Sequence, residues 1–369
     1  MRFITIFPKC ENIHLVKDVG MVPFILHKFY NFKSTIASYD NGDYSYLENE
    51  VKGLNQVFIR KRFNSTRLNV LFFILQNFKK YDVLQVYHFS IDSLIFLTFF
   101  RVLKIFDNRT KTYLKLDADD DILKIRLRGI LGYFAKKAIS KISLISVETK
   151  ILFIRLKDLN VFGHSLIYLP NGFYDYEKKK KTSYSEKKNI FITVGRNGTY
   201  QKATEVLLEA FRLFAKKNIS WDLQIVGSIE DSFLQFIEEY FIENPELRNR
   251  INFTGVISNR DQLNKMYDEA KIFLLTSRYE SFGLVYLEAM SSGCTVISTK
   301  VTPAFDITDN DKIGRLVEID DSVELSNVML HLVNDDLFLE VNSEVVKKIT
   351  YDNYYWPKVL AKVNDSLKV

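Results

Sequence analysis

Residues 274–293, LLTSRYESFGLVYLEAMSSG, combine the end of a buried strand with the beginning of a helix. The apolar run before Ser277 predicts the strand, and Gly293 is placed to end the helix as its C-terminal glycine. Between them lies a glycine, Gly283, which would allow a ligand to approach the backbone closely. We expect four free N–H groups to point out of the helix start, those of Ser281, Phe282, Gly283 and Leu284. Together with the helix dipole they form a site suited to a phosphate.

Two glutamates flank this predicted anion site. Glu280 lies in the loop before the helix, and Glu288 lies about two turns into the predicted helix, on a face that tilts back toward the same ligand. A carboxylate does not attract a phosphate, but it accepts hydrogen bonds from neighbouring hydroxyl groups. The combination predicts a nucleotide-sugar ligand, with phosphates at the helix start, ribose hydroxyls on one glutamate and sugar hydroxyls on the other.

The wider context of these glutamates carries a family resemblance. ESFGL from Glu280, EAMSSG from Glu288 and the following GCTVI strand resemble the signature of the retaining, family 4 type glycosyltransferases of the GT-B fold, the glycosyl transferases group 1. The resemblance implies an α/β protein with two doubly wound, parallel-sheet, Rossmann-like domains facing a cleft. It also implies a hexosyltransferase-type activity (EC 2.4) that acts without a metal ion or other cofactor.

A second motif agrees with this resemblance. TVGRNG, residues 193–198, ends a predicted strand, and Lys202 precedes the next helix. Two cations in a glycine-bearing loop can offset the charge that develops on a departing nucleoside diphosphate. In the family that this motif resembles, the arginine and the lysine clasp the diphosphate, which assigns Arg196 and Lys202 that role. Ala203 stands where the family usually has glycine.

Weaker matches extend over most of the chain. Gly227 and Val256 lie near strand ends at which the family binds the donor nucleotide, and PNG at 170–172 resembles the turn that ends its N-terminal domain. Gly20 resembles the loop beneath the donor phosphates, although the family often has two adjacent glycines; a helix-start glycine is the alternative. His88 follows a predicted strand where the family often has a histidine that touches the sugar, but Tyr87 or Gln85 are alternatives by register.

Asp117 begins DADDD, residues 117–121, which contains the Asp-x-Asp arrangement that metal-dependent glycosyltransferases of another fold use to hold manganese. We interpret Asp119–Asp121 instead as helix-capping residues, and we expect Asp117 to line the acceptor side of the cleft. No metal-ligand spacing, with one another or with cysteine, is shown by His14, His27, His164 and His331. The absence of a Gly-x-Ser-x-Gly elbow and of a Gly-x-Gly-x-x-Gly loop weakens hydrolase and dinucleotide-oxidoreductase alternatives.

Length and patterning predict the organisation of the chain. The 369 residues suggest two domains, and short apolar strands alternate with amphipathic helices throughout. We predict an N-terminal acceptor-side domain over 1–172, an exposed linker over 173–189 and a C-terminal nucleotide-sugar-binding domain over 190–350. A terminal helix over 351–369 is expected to dock on one of the domains. Residues 121–138 are predicted to form one helix.

Charge divides the chain unevenly. Residues 1–170 carry 26 Lys and Arg against 15 Asp and Glu, a net of +11, whereas residues 171–369 carry 25 against 30, a net of −5. The basic half suggests an anionic partner, for which we hypothesise a membrane surface carrying a lipid-phosphate acceptor; scattered surface lysines are the alternative. No nucleic-acid motif is present. The apolar stretch 91–106 predicts a core helix, with a surface helix on a membrane as the alternative.

The nucleotide-sugar site predicts a sugar donor, and the resemblance implies that the sugar is transferred with retention to a hydroxyl of a glycan or lipid-linked acceptor. The resemblance implies a role in bacterial cell-surface polysaccharide or lipopolysaccharide synthesis. The two cysteines fit a reducing cytoplasm, and the hypothesised membrane contact would lie on its inner face. A GT-B epimerase, a phosphorylase and a non-catalytic assembly scaffold of the same fold are the alternatives.

Overall fold

The chain forms two compact units. The computed structural model describes residues 1–176 and 182–368. One unit contains Met1–Tyr176 and the chain from Tyr355 onward. The other contains the described residues between these two segments, 182–354. Each unit is built on one parallel sheet, and together they give the predicted fold class of two doubly wound α/β units.

The first unit contains a sheet whose strand order is β3-β2-β1-β4-β5-β6-β7. Its strands are β1 (Arg2–Ile6), β2 (Lys33–Ser38), β3 (Asn55–Phe58), β4 (Val83–Tyr87), β5 (Lys111–Lys115), β6 (Leu144–Val147) and β7 (Leu166–Tyr168). Its helices are α1 (Asn12–Leu15), α2 (Asp18–Tyr30), α3 (Thr66–Asn77), α4 (Ile91–Leu103), α5 (Gly129–Ile139), α6 (Lys150–Leu159) and, after the chain returns, α14 (Trp356–Val359) and α15 (Ala361–Lys368).

Helix α4 is the helix predicted from the most apolar stretch of the sequence. Leu94, Phe96, Leu97 and Phe100 are buried in a core cluster with residues of the sheet. The interpretation of this stretch as a core helix is therefore confirmed. In the part of the chain that the structure describes, no helix has both the length and the apolar character needed to cross a bilayer.

The second unit contains a parallel sheet of order β10-β9-β8-β11-β12-β13. Its strands are β8 (Lys188–Val194), β9 (Asp222–Val226), β10 (Ile251–Gly255), β11 (Ala270–Leu275), β12 (Thr295–Thr299) and β13 (Gly314–Val317). Its helices are α7 (Thr204–Ala215), α8 (Asp231–Glu243), α9 (Arg260–Glu269), α10 (Leu284–Ser291), α11 (Thr302–Ile307), α12 (Ser322–Val333) and α13 (Asp336–Asn353).

Two segments that were each predicted as one helix are divided in the structure. The helix predicted over 121–138 is a 3-10 turn at Asp120–Lys124 followed by α5, and the backbone at Gly129 has a φ of +65°. That left-handed conformation interrupts any continuous helix. The segment predicted as one terminal helix, 351–369, contains the end of α13 and the short helices α14 and α15. Trp356 and Leu360 pack in the core of the first unit.

The segment predicted as an exposed linker, 173–189, is partly buried, and its residues 177–181 lie outside the described residues. Phe173 and Tyr174 are buried in the first unit. Lys187 is buried in the second, where its ammonium donates to the carbonyl oxygens of Tyr267 and Ala270 at 3.3 and 2.7 Å. Lys187 therefore satisfies carbonyl groups at the C-terminal end of α9, where a cation is favourable, and it is part of the fold of the second unit.

Candidate active site

The candidate site lies at the carboxyl edge of the sheet in the second unit. In the order of that sheet, the first strand β8 lies beside the fourth strand β11, so the direction of winding reverses between them. Ligands of doubly wound sheets bind outside the carboxyl ends of the strands at such a switch point. The two loops that leave this point, 195–203 after β8 and 276–283 after β11, contain the two strongest sequence motifs.

Lys202 and Glu280 meet at this switch point. The Lys202 ammonium donates to Oε1 of Glu280, and the same oxygen accepts a hydrogen bond from the Ser277 hydroxyl at 2.8 Å. Both side chains are largely buried. The stem of the lysine lies over Gly195, whose position would put a Cβ 3.2 Å from Lys202 Cε. The sequence placed both residues in the site from separate motifs but did not predict that they pair.

The loops that carry these two residues are tied together by hydrogen bonds. The Thr276 hydroxyl donates to the Lys202 carbonyl oxygen at 2.8 Å, and the Arg278 N–H donates to the Gln201 carbonyl oxygen at 2.8 Å. The Arg278 guanidinium also contacts Glu205 at 2.7 Å. These contacts fix the distance between the two loops and so hold the ion pair in place. Thr276, Ser277 and Arg278 were quoted in the strand-to-loop motif, but sequence reasoning gave them no role.

Glycines allow the strand ends to approach one another. Gly227, after β9, has a φ of +121°, and a Cβ there would lie 1.9 Å from the Gly195 carbonyl oxygen. Its N–H donates to the Gly255 carbonyl oxygen at 2.9 Å. Val256 follows Gly255 and is exposed. The structure thus brings Gly227 and Val256, predicted from separate strands, to the same edge as Lys202.

Arg196 is exposed and forms an ion pair with Glu230, the Nε to Oε1 distance being 3.1 Å. Its position directly after β8 and Gly195 puts the guanidinium at the same carboxyl edge. Surface ion pairs of this kind contribute little to stability and exchange partners easily. The arginine is therefore available for an anionic ligand at small cost.

The start of α10 differs from the prediction. The helix begins at Leu284, and Gly283 is its N-cap residue with a φ of +75°. Ser281 and Phe282 therefore lie in the loop before the helix, and the Phe282 ring is buried. The left-handed conformation of Gly283 explains the displacement, since such a residue ends the loop rather than joining the helix. As predicted, Gly293 follows the helix with a φ of +77°.

Glu288 lies one turn into α10 rather than two, because the helix begins at Leu284, later than predicted. Its Oε1 is 3.1 Å from Nη1 of Arg260, and its Oε2 accepts a hydrogen bond from the Tyr267 hydroxyl at 3.1 Å. Burial and the neighbouring carboxylate hold the pKa of Tyr267 well above its usual range, so this hydroxyl remains a donor. Arg260 and Tyr267, both on α9, orient the carboxylate. Neither was predicted, because α9 carries no motif.

Ala203, where the family usually has glycine, is the N-cap residue of α7 and has φ and ψ both at +47°. This left-handed conformation costs a residue with a Cβ roughly 1–2 kcal/mol. It supplies the physical reason for a glycine at this position.

We therefore expect Ala203→Gly to raise the free energy of unfolding of the second unit by about 0.5 kcal/mol, after the greater freedom of glycine in the unfolded chain is subtracted. Urea unfolding monitored by Trp221 in a Trp356→Phe background measures it. Ala210→Gly, in the interior of the same helix, should instead lower stability by about 1 kcal/mol or more. Equal losses for both substitutions would contradict the backbone explanation.

In the first unit the predicted residues lie at the carboxyl edge of the other sheet. Gly20 lies in the first turn of α2, where a Cβ would come within 2.1 Å of the Leu15 carbonyl oxygen, so close helix packing accounts for it as glycine. His88 follows β4 and Asp117 follows β5, and their side chains are 3.9 Å apart. Both have positive φ values, +60° and +40°. Such strained residues are often found at functional sites.

A buried ion pair supports this strained edge. Lys115 Nζ lies 2.5 Å from Glu148 Oε1 and 3.5 Å from Asp18 Oδ2. Glu148 also accepts the N–H groups of Asp117 and Ala118 at 3.1 and 3.3 Å. Burial raises the pKa of the Asp18 carboxyl, which Lys115 opposes, and burial and Glu148 raise that of Asp117. Neither Lys115 nor Glu148 was predicted as a site residue.

The acidic run after β5 has structural partners. The Asp119 carboxylate accepts the N–H of Asp121 at 3.0 Å and begins the 3-10 turn, as the capping interpretation predicts. Asp121 pairs with Lys124 at 2.5 Å, and Asp120 lies 3.6 Å from Arg155. Within residues 1–176 and 182–368, no group of three or more His, Cys, Asp or Glu side chains is arranged to hold a metal ion.

The order of both sheets and the motifs at the switch point define the class of protein, a GT-B glycosyltransferase fold. Full-length similarity to solved structures supports this class: the crystal structure of Anabaena HepE in complex with UDP matches with a TM-score of 0.75 and 15% identity over 100% of both chains. The sequence model of the family Glycosyl transferases group 1 matches residues 175–350. Over these residues the chain matches the group 1 glycosyltransferases.

Two curated relatives agree with this assignment. An uncharacterized glycosyltransferase of Methanocaldococcus jannaschii is 26% identical over 212 residues, which are 54% of this chain and 53% of the relative. N-acetyl-alpha-D-glucosaminyl L-malate synthase of Bacillus anthracis is 27% identical over 186 residues, 50% of this chain and 46% of the relative. The chain thus spans about half the length of the curated relatives it matches.

Proposed function

We propose that the protein transfers a sugar from a nucleotide-sugar donor to an acceptor hydroxyl with retention of configuration. The observation that carries the proposal is the pairing of Lys202 with Glu280 at the switch point of the second unit. A largely buried cation and a carboxylate held side by side suit a ligand that presents a diphosphate next to a sugar. The complex of the similar Anabaena protein with UDP supports a nucleotide as part of the donor.

The proposal gives each predicted residue a role. Lys202 and Arg196 stabilise the departing diphosphate, and Glu280 holds the donor sugar together with backbone N–H groups of residues 281–284. Glu288 accepts hydrogen bonds from the ribose hydroxyls. The loops at Gly227 and Val256 line the nucleoside, and for Gly20 the proposal keeps the predicted role next to the donor phosphates. His88 and Asp117 act on the acceptor or sugar side.

A donor screen tests this proposal. Isothermal titration calorimetry with UDP-, GDP-, ADP- and CMP-sugars should show binding of at least one nucleotide class, which Lys202→Ala weakens and Lys216→Ala, at the exposed far end of α7, leaves unchanged. Turnover of the bound donor in the presence of an acceptor glycan distinguishes a transferase. Formation of an isomerised sugar when no acceptor is present would indicate an epimerase. Release of a sugar phosphate that depends on added phosphate would indicate a phosphorylase. Binding of no donor would support the scaffold alternative.

We further propose that the acceptor is a glycan or lipid-linked intermediate of bacterial cell-surface polysaccharide or lipopolysaccharide synthesis, on the cytoplasmic face of the membrane. The net charge of +11 over residues 1–170 supports an anionic acceptor such as a lipid phosphate. Turnover with a lipid-diphosphate acceptor, compared with the same glycan lacking the lipid phosphates, measures this preference. Equal kcat/KM for both acceptors would count against it.

Glu288→Gln should weaken binding of the nucleoside diphosphate by about 10-fold or more, because the neutral amide forms weaker hydrogen bonds with the ribose hydroxyls. A nucleotide that lacks the ribose hydroxyls shows whether the loss of affinity arises from these hydrogen bonds. The 2′,3′-dideoxy nucleotide should bind wild type and Glu288→Gln with similar Kd, whereas the ordinary nucleotide should discriminate between them. Glu239→Gln on α8 serves as a matched control. An equal loss of affinity for both nucleotides would remove the ribose role of Glu288.

A further inference from the structure

Helix α5 exposes apolar side chains on the surface of the first unit. Ile130, Leu131, Tyr133 and Phe134 have exposed fractions of 73%, 81%, 63% and 58%. At about 100° per residue, these four side chains occupy one continuous side of the helix. The opposite side, at Gly132 and Ile139, is the buried one. A helix on the surface of a globular protein normally buries its apolar stripe, so α5 is oriented in the reverse sense.

The same segment is strongly basic. Residues 122–141 contain six Lys and Arg and no Asp or Glu, a net charge of 6 − 0 = +6. Arg126 and Arg128 precede the helix, and Lys136 and Lys137 lie in its last turn, all of them exposed. Lys137 falls within the apolar side of the helix, between Tyr133 and Ile130. Positive charge therefore lies at both ends of the helix that exposes the apolar side chains.

We propose that this surface, hereafter the α5 face (Ile130, Leu131, Tyr133, Phe134, Lys136 and Lys137), binds an anionic phospholipid bilayer. The apolar side chains enter the boundary between headgroups and acyl chains, and the basic side chains meet the lipid phosphates. An apolar face could bind a membrane, another protein or a second copy of the chain, and the positive charge of residues 122–141 favours an anionic membrane. A second copy of the chain bound through the same face would bring two sets of six positive charges together, and a nucleic acid offers no apolar layer for isoleucine and leucine.

The α5 face also locates the anionic partner that the charge asymmetry suggests. Helix α4, the other candidate from sequence, uses its apolar residues in the core of the first unit. The left-handed backbone at Gly129 separates α5 from the 3-10 turn before it. The apolar side of this short helix has no intramolecular partner among the described residues. Binding through this face requires no donor and no sugar transfer, so it can be tested apart from the sugar transfer proposed above.

Vesicle flotation of the full chain, without donor or acceptor, tests the proposal. The protein should float with phosphatidylcholine vesicles that contain about 30% phosphatidylglycerol and not with pure phosphatidylcholine, and binding should decrease from about 50 mM to about 500 mM salt. Lys136→Gln with Lys137→Gln should reduce the partition coefficient on the order of 30-fold. Leu131→Ser with Phe134→Ser should reduce it at least about 10-fold.

A matched control comes from the second unit, where Ile219 is exposed next to Lys216 and Lys217. The triple substitution Ile219→Ser, Lys216→Gln, Lys217→Gln should leave vesicle binding unchanged. Circular dichroism of each variant verifies that the fold is retained. The proposal is overturned if wild type floats equally with neutral vesicles, if the α5 variants bind like wild type, or if light scattering shows that they abolish a dimer instead. Loss of sugar transfer with intact flotation would instead refute only the proposed function.

Discussion

Lys202→Ala is expected to lower kcat by about two to three orders of magnitude, the range observed when one preorganised electrostatic donor is removed from an active site. The ammonium lies in a largely buried position against Glu280, and Gly195 leaves room for its stem. Because the surroundings hold the charge in place before the reaction, little reorganisation is needed when negative charge develops on the leaving diphosphate. Steady-state turnover with the donor identified by calorimetry measures the effect.

The pairing of Lys202 with Glu280 allows a second prediction, which concerns how the effects of the two substitutions combine. Lys202→Ala removes the diphosphate partner and also leaves the Glu280 carboxylate with only the Ser277 hydroxyl among its described side-chain partners. If the two residues act as one unit, Lys202→Ala and Glu280→Gln will each cause a large loss, and the double variant will lose much less than the product of the two factors.

Two controls separate the ion pair from general damage. Lys202→Arg keeps the positive charge and should retain more activity than Lys202→Ala, and Lys216→Ala should behave as wild type. Unfolding of the second unit, followed by Trp221, should stay within about 1 kcal/mol of wild type in every variant used for kinetics. A kcat for Lys202→Ala within threefold of wild type would falsify the assignment of this lysine to the diphosphate.

The sequence was sufficient for most of the fold because parallel strands buried on both faces are continuous apolar runs. Such runs predicted the strands that precede His88, Gly195 and Ser277, which are β4, β8 and β11. Prediction from the sequence failed where the local pattern was weak. The short strand β13, Gly314–Val317, contains an arginine, and the helix predicted over 121–138 is interrupted at Gly129 by a left-handed backbone that the composition does not reveal.

The candidate site shows the same division. Lys202, Glu280 and Glu288 carry motifs and were predicted, but their partners were not. Arg260 contacts Glu288 from α9, a polar helix without a motif, and this pairing depends on tertiary packing across 28 residues. Lys115 and Glu148 were missed for a related reason. Lysine and glutamate are almost never fully buried unless paired, and the pairing of neighbouring strands β5 and β6 is visible only in the structure.

Lys115→Met is expected to lower the free energy of unfolding of the first unit by about 3–5 kcal/mol, as is typical when one partner of a buried ion pair is removed. Glu148 and Asp18 would remain buried without their shared cation. Their carboxylates raise the pKa of Lys115 by more than burial lowers it, so the lysine stays charged in the wild type. Urea unfolding in a Trp221→Phe background measures the first unit, because Trp356 packs in its core.

The pH dependence of this variant gives an independent check. Burial already raises the pKa of Asp18 in the folded protein, and without Lys115 the cation that opposes this rise is lost. A carboxyl with a raised folded pKa binds its proton more tightly in the folded protein, so acidification favours folding. The stability deficit of Lys115→Met relative to wild type should therefore shrink as the pH is lowered from about 8 to about 5. A deficit that does not change with pH would indicate lost packing of the lysine stem instead.

A second variant distinguishes the charge from the geometry that it supports. Lys115→Met combined with Glu148→Gln removes both charges of the pair, and the glutamine oxygen can still accept one of the N–H groups of Asp117 and Ala118. The double variant should be more stable than Lys115→Met alone, because only Asp18 remains an unpaired buried charge. Lys348→Ala, at an exposed ion pair with Asp352 on α13, should change stability by less than about 0.5 kcal/mol. If the double variant is the least stable of the series, the pair contributes net stability of its own. If it recovers, the pair chiefly prevents isolated charges beneath the strained backbone at His88 and Asp117.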